Sequence, residues 1–271
     1  MRWINIRLSR TAALTLALLP FGLLVAAYLA GSAARLALNP DDKLLPSLTS
    51  IADAINRMAF IPDGRTGDVL LWSDTFASLS RLGWGLAIST LIALLVGMIV
   101  GMLPTARSLL APVIAVIAMV PPLALLPILF ILLGLGETAK VALIAIGVAP
   151  TMIRDLALKV TELPREQIVK AETLGGSSWQ IAIRVVLPQV LPRLITCLRL
   201  QLGPAWLFLI AAEAISSDAG LGYRIFLVRR YLSMDVIFPY VAWITLLAVL
   251  MNLALDGVRV AVFPWSKAVR N

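Results

Sequence analysis

Six stretches of this chain are long and apolar enough to cross a bilayer, and that restricts its fold more than any other feature. A hydrocarbon core about 30 Å thick takes roughly 20 apolar residues in a helix. The stretches fall near 12–31, 82–103, 109–133, 138–157, 189–214 and 236–263. Of the 271 residues, 60% are hydrophobic and 14% charged, with a mean hydropathy of +0.94. A soluble domain carries about 25% charged residues, so this chain has too little polar surface to cover itself in water. The prediction is an all-α integral membrane protein with six transmembrane helices. The first stretch follows the basic start MRWINIRLSR, and its apolar part exceeds the roughly 7–15 residues of a cleavable signal. A retained signal-anchor is expected.

Cationic residues collect at the cytoplasmic ends of membrane helices, which accounts for 23 Lys+Arg against 15 Asp+Glu. No Arg/Lys-rich run with interleaved aromatics suggests nucleic acid. With the N-terminus inside, thirteen cations (Arg2, Arg7, Arg10, Arg107, Arg154 and Lys170 among them) fall on the inner side. Nine, including Arg65, Arg81, Lys140 and Arg224, fall on the outer side. Arg199 lies within the fifth span and is left out, and the outer Arg229-Arg230 pair opposes the bias. The orientation predicted is N-in/C-in.

The long polar segment 39–80 holds Asp41, Asp42, Asp53, Asp63, Asp68 and Asp74. Within it LLPSLTSIADAINRMAF repeats apolar residues every three or four positions, which predicts an amphipathic helix. That helix either lies at the outer surface or packs against the bundle. Residues 1–80 therefore read as a first helix plus an external segment, and 81–271 as a five-helix core.

With one cysteine, Cys197, and no histidine, the chain cannot build a disulfide framework, a Cys/His zinc site or a Ser-His-Asp triad. Cys197 reads as a small core residue. GLGETAK (Gly134 to Lys140) has the wrong glycine spacing for a P-loop and no hydroxyl after its lysine. No metal site or catalytic residue is expected on this chain.

Between spans four and five the chain turns polar: RDLALKVTELPREQIVKAETLGGSSWQIAIRVVLPQVLPRL. Pro164 can open a helix over 165–174. Gly175-Gly176 allow a sharp turn and close backbone approach, and Ser177 can cap a second helix from Ser178. Pro188 and Pro192 mark the transition into the fifth span. The expected product is a helix-turn-helix near 160–188, facing the cytoplasm and tied to a membrane helix at each end.

Gly175, nine residues, then Val185-x-Leu187-Pro188 resembles the signature loop of bacterial ABC importer permeases: Glu-Ala-Ala, three residues, Gly, nine residues, Ile-x-Leu-Pro. More narrowly, the chain is similar to permeases of the nitrate/sulfonate/taurine type over nearly its whole length. The likeness is carried by LLPSLTSIADAI, SLSRLGWGLAIS, VPPLALLPILFILLGLGETAKVALI, KAETLGGSSWQIAIRVVLPQVLPRLI and GPAWLFLIAAEAISSDAGLGYRI. It departs at Val169-Lys170-Ala171, where only the alanine matches Glu-Ala-Ala; Glu166 or Glu172 stands on a neighbouring turn.

The resemblance implies a multi-pass subunit of the bacterial inner membrane working as a pair of copies. Two ATPase subunits holding ATP and Mg dock on the coupling helix, and a periplasmic binding protein delivers substrate. Lys170, Ala171, Glu172, Leu174, Gly175, Gly176, Ser177, Trp179, Leu187 and Pro188 are the expected coupling residues. The likeness leaves the solute open between nitrate, taurine or sulfonate and a urea- or guanidine-like molecule.

Path candidates come from irregularities inside the spans. Pro121-Pro122 interrupt the third span, as a gate or as a packing kink. Gly203-Pro204 weaken the fifth helix locally, and Trp206 beside them either faces the pathway or packs. Glu213, an ionisable residue near the outer end, reads as a path residue or as a structural group paired, for instance, with Arg224 or Arg229. Two other classes compete with an importer subunit. A self-sufficient carrier or channel is opposed by the absence of an internal repeat and the scarcity of charge at membrane depth. A membrane-embedded enzyme lacks histidine and an acid cluster within a span.

Overall fold

The computed structural model describes residues 9–40, 42–64 and 66–265. Arg2, Arg7, Arg65, Lys267 and Arg270 of the charge count, together with Asp41 and the side chain of Arg10, lie outside them. Among the described residues there are helices and turns and no strand.

Helix α1 (Arg10–Leu38) starts at Ser9, whose side chain accepts from the Ala12 amide. It is held to the rest of the chain toward its far end. There Tyr28 Oη donates to the Pro46 carbonyl at 2.6 Å and Ser32 Oγ to that of Leu45 at 3.0 Å. Helix α2 (Leu48–Ala59) is the predicted amphipathic segment, capped by Ser47. It packs on the bundle, burying Ala54 and Ala59, while Leu48 and Ile55 stay exposed.

Helix α3 (Leu70–Met102) begins well before residue 82. The polar residues Asp74, Thr75, Ser78 and Arg81 are not an external loop but its buried first turns. They stay inside because each finds a hydrogen-bond partner, which removes most of the desolvation cost. Arg81 and Lys140 were counted as outer-loop cations; both side chains are buried in the bundle instead.

Helix α6 (Glu137–Thr161) runs alongside α3 and parallel to it. Gly85 meets Ile144, Gly97 meets Leu156 and Gly101 meets Val160, contacts that advance in the same direction on both helices. Small residues let membrane helices approach this closely. A Cβ at Gly85 would stand 2.6 Å from Ile144, so Gly85→Ala should destabilise by about 1–3 kcal/mol through overpacking. The midpoint of thermal unfolding, read by dye labelling of the buried lone thiol Cys197, should fall by several degrees.

Between these helices the chain crosses back as a broken span. Helix α4 (Pro104–Ile117) and a 3₁₀ turn (Pro122–Leu125) leading into α5 (Leu126–Leu133) are bent by 82°. The Pro121-Pro122 pair supplies no amide hydrogen to continue the α4 ladder. The loop helix α7 (Arg165–Thr173) follows α6. Helix α8 (Ser178–Ile181) passes through a π turn (Ala182–Val186) into α9 (Leu187–Ile215). The transition into the fifth span is therefore this π turn, and Pro188 sits in the first turn of α9, where a missing amide costs nothing. The expected weakening at Gly203-Pro204 leaves α9 unbroken. Helices α10 (Leu221–Arg229) and α11 (Met234–Val262) complete the bundle.

Among the described residues, five helices are long and apolar enough to span a membrane, or six when the bent pair is taken as one. The starts of α3, α6 and α11 meet the end of α9 at one end of the bundle, while α7 and α8 lie at the other.

Candidate functional site

The loop between α6 and α9 is built by two opposed capping motifs. At the end of α7 the Gly175 amide donates to the Glu172 carbonyl at 2.9 Å and that of Gly176 to Ala171 at 3.0 Å. This Schellman closure needs a left-handed residue, and Gly175 has φ +79°. A Cβ on Gly176 would stand 2.8 Å from the Ala171 oxygen. One residue later Ser177 and Gln180 form a capping box, at 3.3 Å and 2.9 Å, which starts α8.

Two consequences follow for side chains. Leu174 and Trp179 are forced outward, at 79% and 74% exposure, on a loop where Val169, Lys170, Glu172 and Ser177 are also exposed. Ala171 faces inward, and Leu187 and Pro188 are half-buried in α9 rather than displayed on the loop. The loop is anchored by Ile181, Ala182 and Val186 in the core. Gln189 Nε2 adds a tie, donating to Gln167 Oε1 at 2.9 Å and to the Val185 carbonyl at 2.8 Å. At the position of the family's glutamate stands Val169, exposed. Neither Glu166 nor Glu172 makes a side-chain ion pair among the described residues.

Deeper at the same end, Arg193 grips Asp155 with two bonds of 2.8 Å and 2.5 Å, joining α9 to α6. The Cys197 thiol also donates to Asp155. Arg199 donates to Asn252 Oδ1 at 2.9 Å and ion-pairs with Asp256 of α11, which Arg259 also holds.

The opposite end is closed by a buried network. Glu213, fully buried, accepts from Ser78 Oγ at 2.8 Å, Arg81 Nη1 at 2.6 Å and the Gly222 amide at 2.8 Å. Its partner is Arg81, not Arg224 or Arg229. Arg224 instead donates to Asp74 at 2.8 Å, and Asp74 also accepts from the Gly220 amide and Tyr240 Oη. Arg81 reaches Glu137 as well, and Lys140 Nζ bridges Glu137 and Ser217 at 3.0 Å each. Glu213 is thus a clamp on the 216–222 loop. Asp74, Ser78 and Arg81 recur at i, i+4 and i+7, a periodicity that marks one polar face of a helix and was the available signal.

The path candidates do not converge. Pro121 and Gly203 are exposed, and Pro122 rests on Gly147. Trp206 is 4% exposed, enclosed in the chain's own core, and its indole N–H has no partner among the described residues.

A bundle of membrane-length helices with a capped polar loop at one end defines a multi-pass membrane protein. The chain belongs to the family of binding-protein-dependent transport system inner membrane components, whose model matches residues 89–267. It is 36% identical over 234 residues to the taurine transport system permease protein TauC of Escherichia coli (strain K12), covering 86% of this chain and 82% of TauC. A putative aliphatic sulfonates transport permease protein, SsuC of the same organism, is 36% identical over 135 residues, half of each chain. The structure of the MetNI methionine ABC transporter in an inward-facing conformation shares the fold. Its TM-score is 0.62 at 22% identity, covering 71% of this chain and 95% of that one. The chain is a permease subunit of an ABC importer, of the nitrate/sulfonate/taurine type.

Proposed function

We propose that two copies of this chain form the translocation unit of an importer in the bacterial inner membrane, with both termini and the α7–α8 loop in the cytoplasm. Two ATPase subunits, holding ATP and Mg, dock on the loops; a periplasmic binding protein delivers a small polar solute. ATP-driven closure of the ATPases moves the loops, and the helices rigidly tied to them pass from inward- to outward-facing. The transport names of TauC and SsuC favour taurine or a sulfonate over a urea- or guanidine-like solute.

The observation that carries this reading is the exposure of Leu174 and Trp179 on a doubly capped turn. A partner that buries one large apolar side chain gains about 1.5–3 kcal/mol, and 1.4 kcal/mol is tenfold in affinity. Solubilised protein should therefore bring down an ATPase stoichiometrically, and Trp179→Ala should weaken that retention at least about tenfold. Full retention by a Leu174→Ala/Trp179→Ala variant would remove the docking role.

A self-sufficient carrier is the alternative. Charges are more frequent within the spans than hydropathy suggests, but Asp74, Glu137, Asp155, Glu213 and Asp256 are each ion-paired to arginine or lysine. That leaves them poorly suited to relay protons.

A further inference from the structure

Among the described residues, Arg154 is one of the cations on the membrane helices that no carboxylate neutralises. Arg154 lies on α6 roughly 10 Å before the helix end, at about 1.5 Å per residue. It is exposed and, among the described residues, makes no ion pair or hydrogen bond. An arginine on a membrane-spanning helix faces water or a polar partner rather than acyl chains. Arg154 opens into a cavity of about 640 Å³ between α4 and α6, whose wall includes Arg107, Thr151, Asp155 and Thr161. Arg107 uses Nε and Nη2 to cap the last carbonyls of α3, at Val100 and Gly101, and Nη1 remains uncommitted. Asp155 is the one carboxylate in this wall, and the two-bond grip of Arg193 already balances its charge. The Thr151 hydroxyl makes no hydrogen bond among the described residues.

The α6 side of the cavity is one face of that helix. Gly147 carries Pro122, and Thr151, Arg154, Leu158 and Thr161 follow it at i+4, i+7, i+11 and i+14, a single exposed stripe on α6. On the opposite face of α6, Met152, Ile153, Leu156 and Val160 are buried. Of this stripe Thr151 and Arg154 have no hydrogen-bond partner among the described residues, while the Thr161 hydroxyl donates to the Leu158 carbonyl.

We propose that this cavity is a binding site for the oxyanion group of the transported solute, held by the Arg154 and Arg107 guanidinium groups with Thr151 donating beside them. Guanidinium suits sulfonate, nitrate or carboxylate because its planar donors match their oxygens; a guanidine-like cation would meet two like charges. The inference rests on the importer reading and assigns the solute class and its loop-side contact.

The same chemistry would suit a lipid phosphate, so the test separates the two. The permease with its co-purified ATPase is placed in nanodiscs of phosphatidylcholine alone, and trifluoromethanesulfonate is followed by fluorine NMR line broadening, with trifluoroethanol as the neutral probe. The wild type should broaden the anion and not the alcohol. Arg154→Gln and Arg107→Gln should each weaken anion binding at least about tenfold, and Arg154→Lys should restore part of it. Equal broadening in Arg154→Gln, or equal broadening of both probes, overturns the site. An Arg154 effect seen only when phosphatidylglycerol is present assigns the cavity to a lipid headgroup and overturns it too. ATPase retention is scored in every sample: its loss in the wild type would remove the importer reading, whereas its persistence without anion binding removes this site alone.

Discussion

Glu213→Ala should be among the most damaging single changes in this chain. It takes away one of the two carboxylates that hold Arg81, 8% exposed at its side chain, and removes the acceptor for Ser78 Oγ and the Gly222 amide. Glu137 still holds Arg81, so the loss comes chiefly from the buried hydrogen-bonding groups left without an acceptor, at about 1–3 kcal/mol for each. The drop in unfolding midpoint should be on the order of 10 °C, read by labelling of Cys197, 3% exposed in the folded chain. Arg81→Ala should behave similarly. The pair Arg81→Met/Glu213→Leu should recover part of the loss, since apolar replacements of both partners leave no orphan charge. An unchanged midpoint in Glu213→Ala would mean that the carboxylate is solvated and faces the path.

At the other end, Gly175→Val should abolish function while sparing the fold. The residue sits at φ +79°, where a β-branched side chain costs roughly 1–3 kcal/mol of backbone strain. No heavy atom lies within 4 Å of the added Cβ, so the effect is conformational and not a clash. The loop can relieve it by giving up the two closing hydrogen bonds to Glu172 and Ala171, which displaces Leu174 relative to Trp179. ATP-driven uptake should fall at least about tenfold, with membrane insertion and unfolding midpoint close to wild type. Gly175→Asn should retain much more, because asparagine tolerates left-handed geometry. Normal uptake by Gly175→Val would mean that the loop does not couple.

Much of the loop could be read in advance because its interactions are local. Gly175, Gly176, Ser177 and Gln180 bond to residues three to five positions away, distances at which residue type nearly dictates geometry. The break at Pro121-Pro122 was legible for the same reason. Hydropathy misplaced the start of α3, since it treats Asp74 and Arg81 as residues expelled to water. Paired with Arg224 and Glu213 they are retained inside.

The order of apolar runs, the proline break and the capped glycine turn were determined by the sequence alone, because each depends on neighbours along the chain. Tertiary structure decided which charge meets which: Glu213 with Arg81 instead of Arg224, Trp206 turned into the core, and Arg154 left alone beside a cavity. Such pairings depend on how distant helices rotate and pack against one another, and the glycines of α3 that set this for α6 show their purpose only once Ile144, Leu156 and Val160 lie across from them.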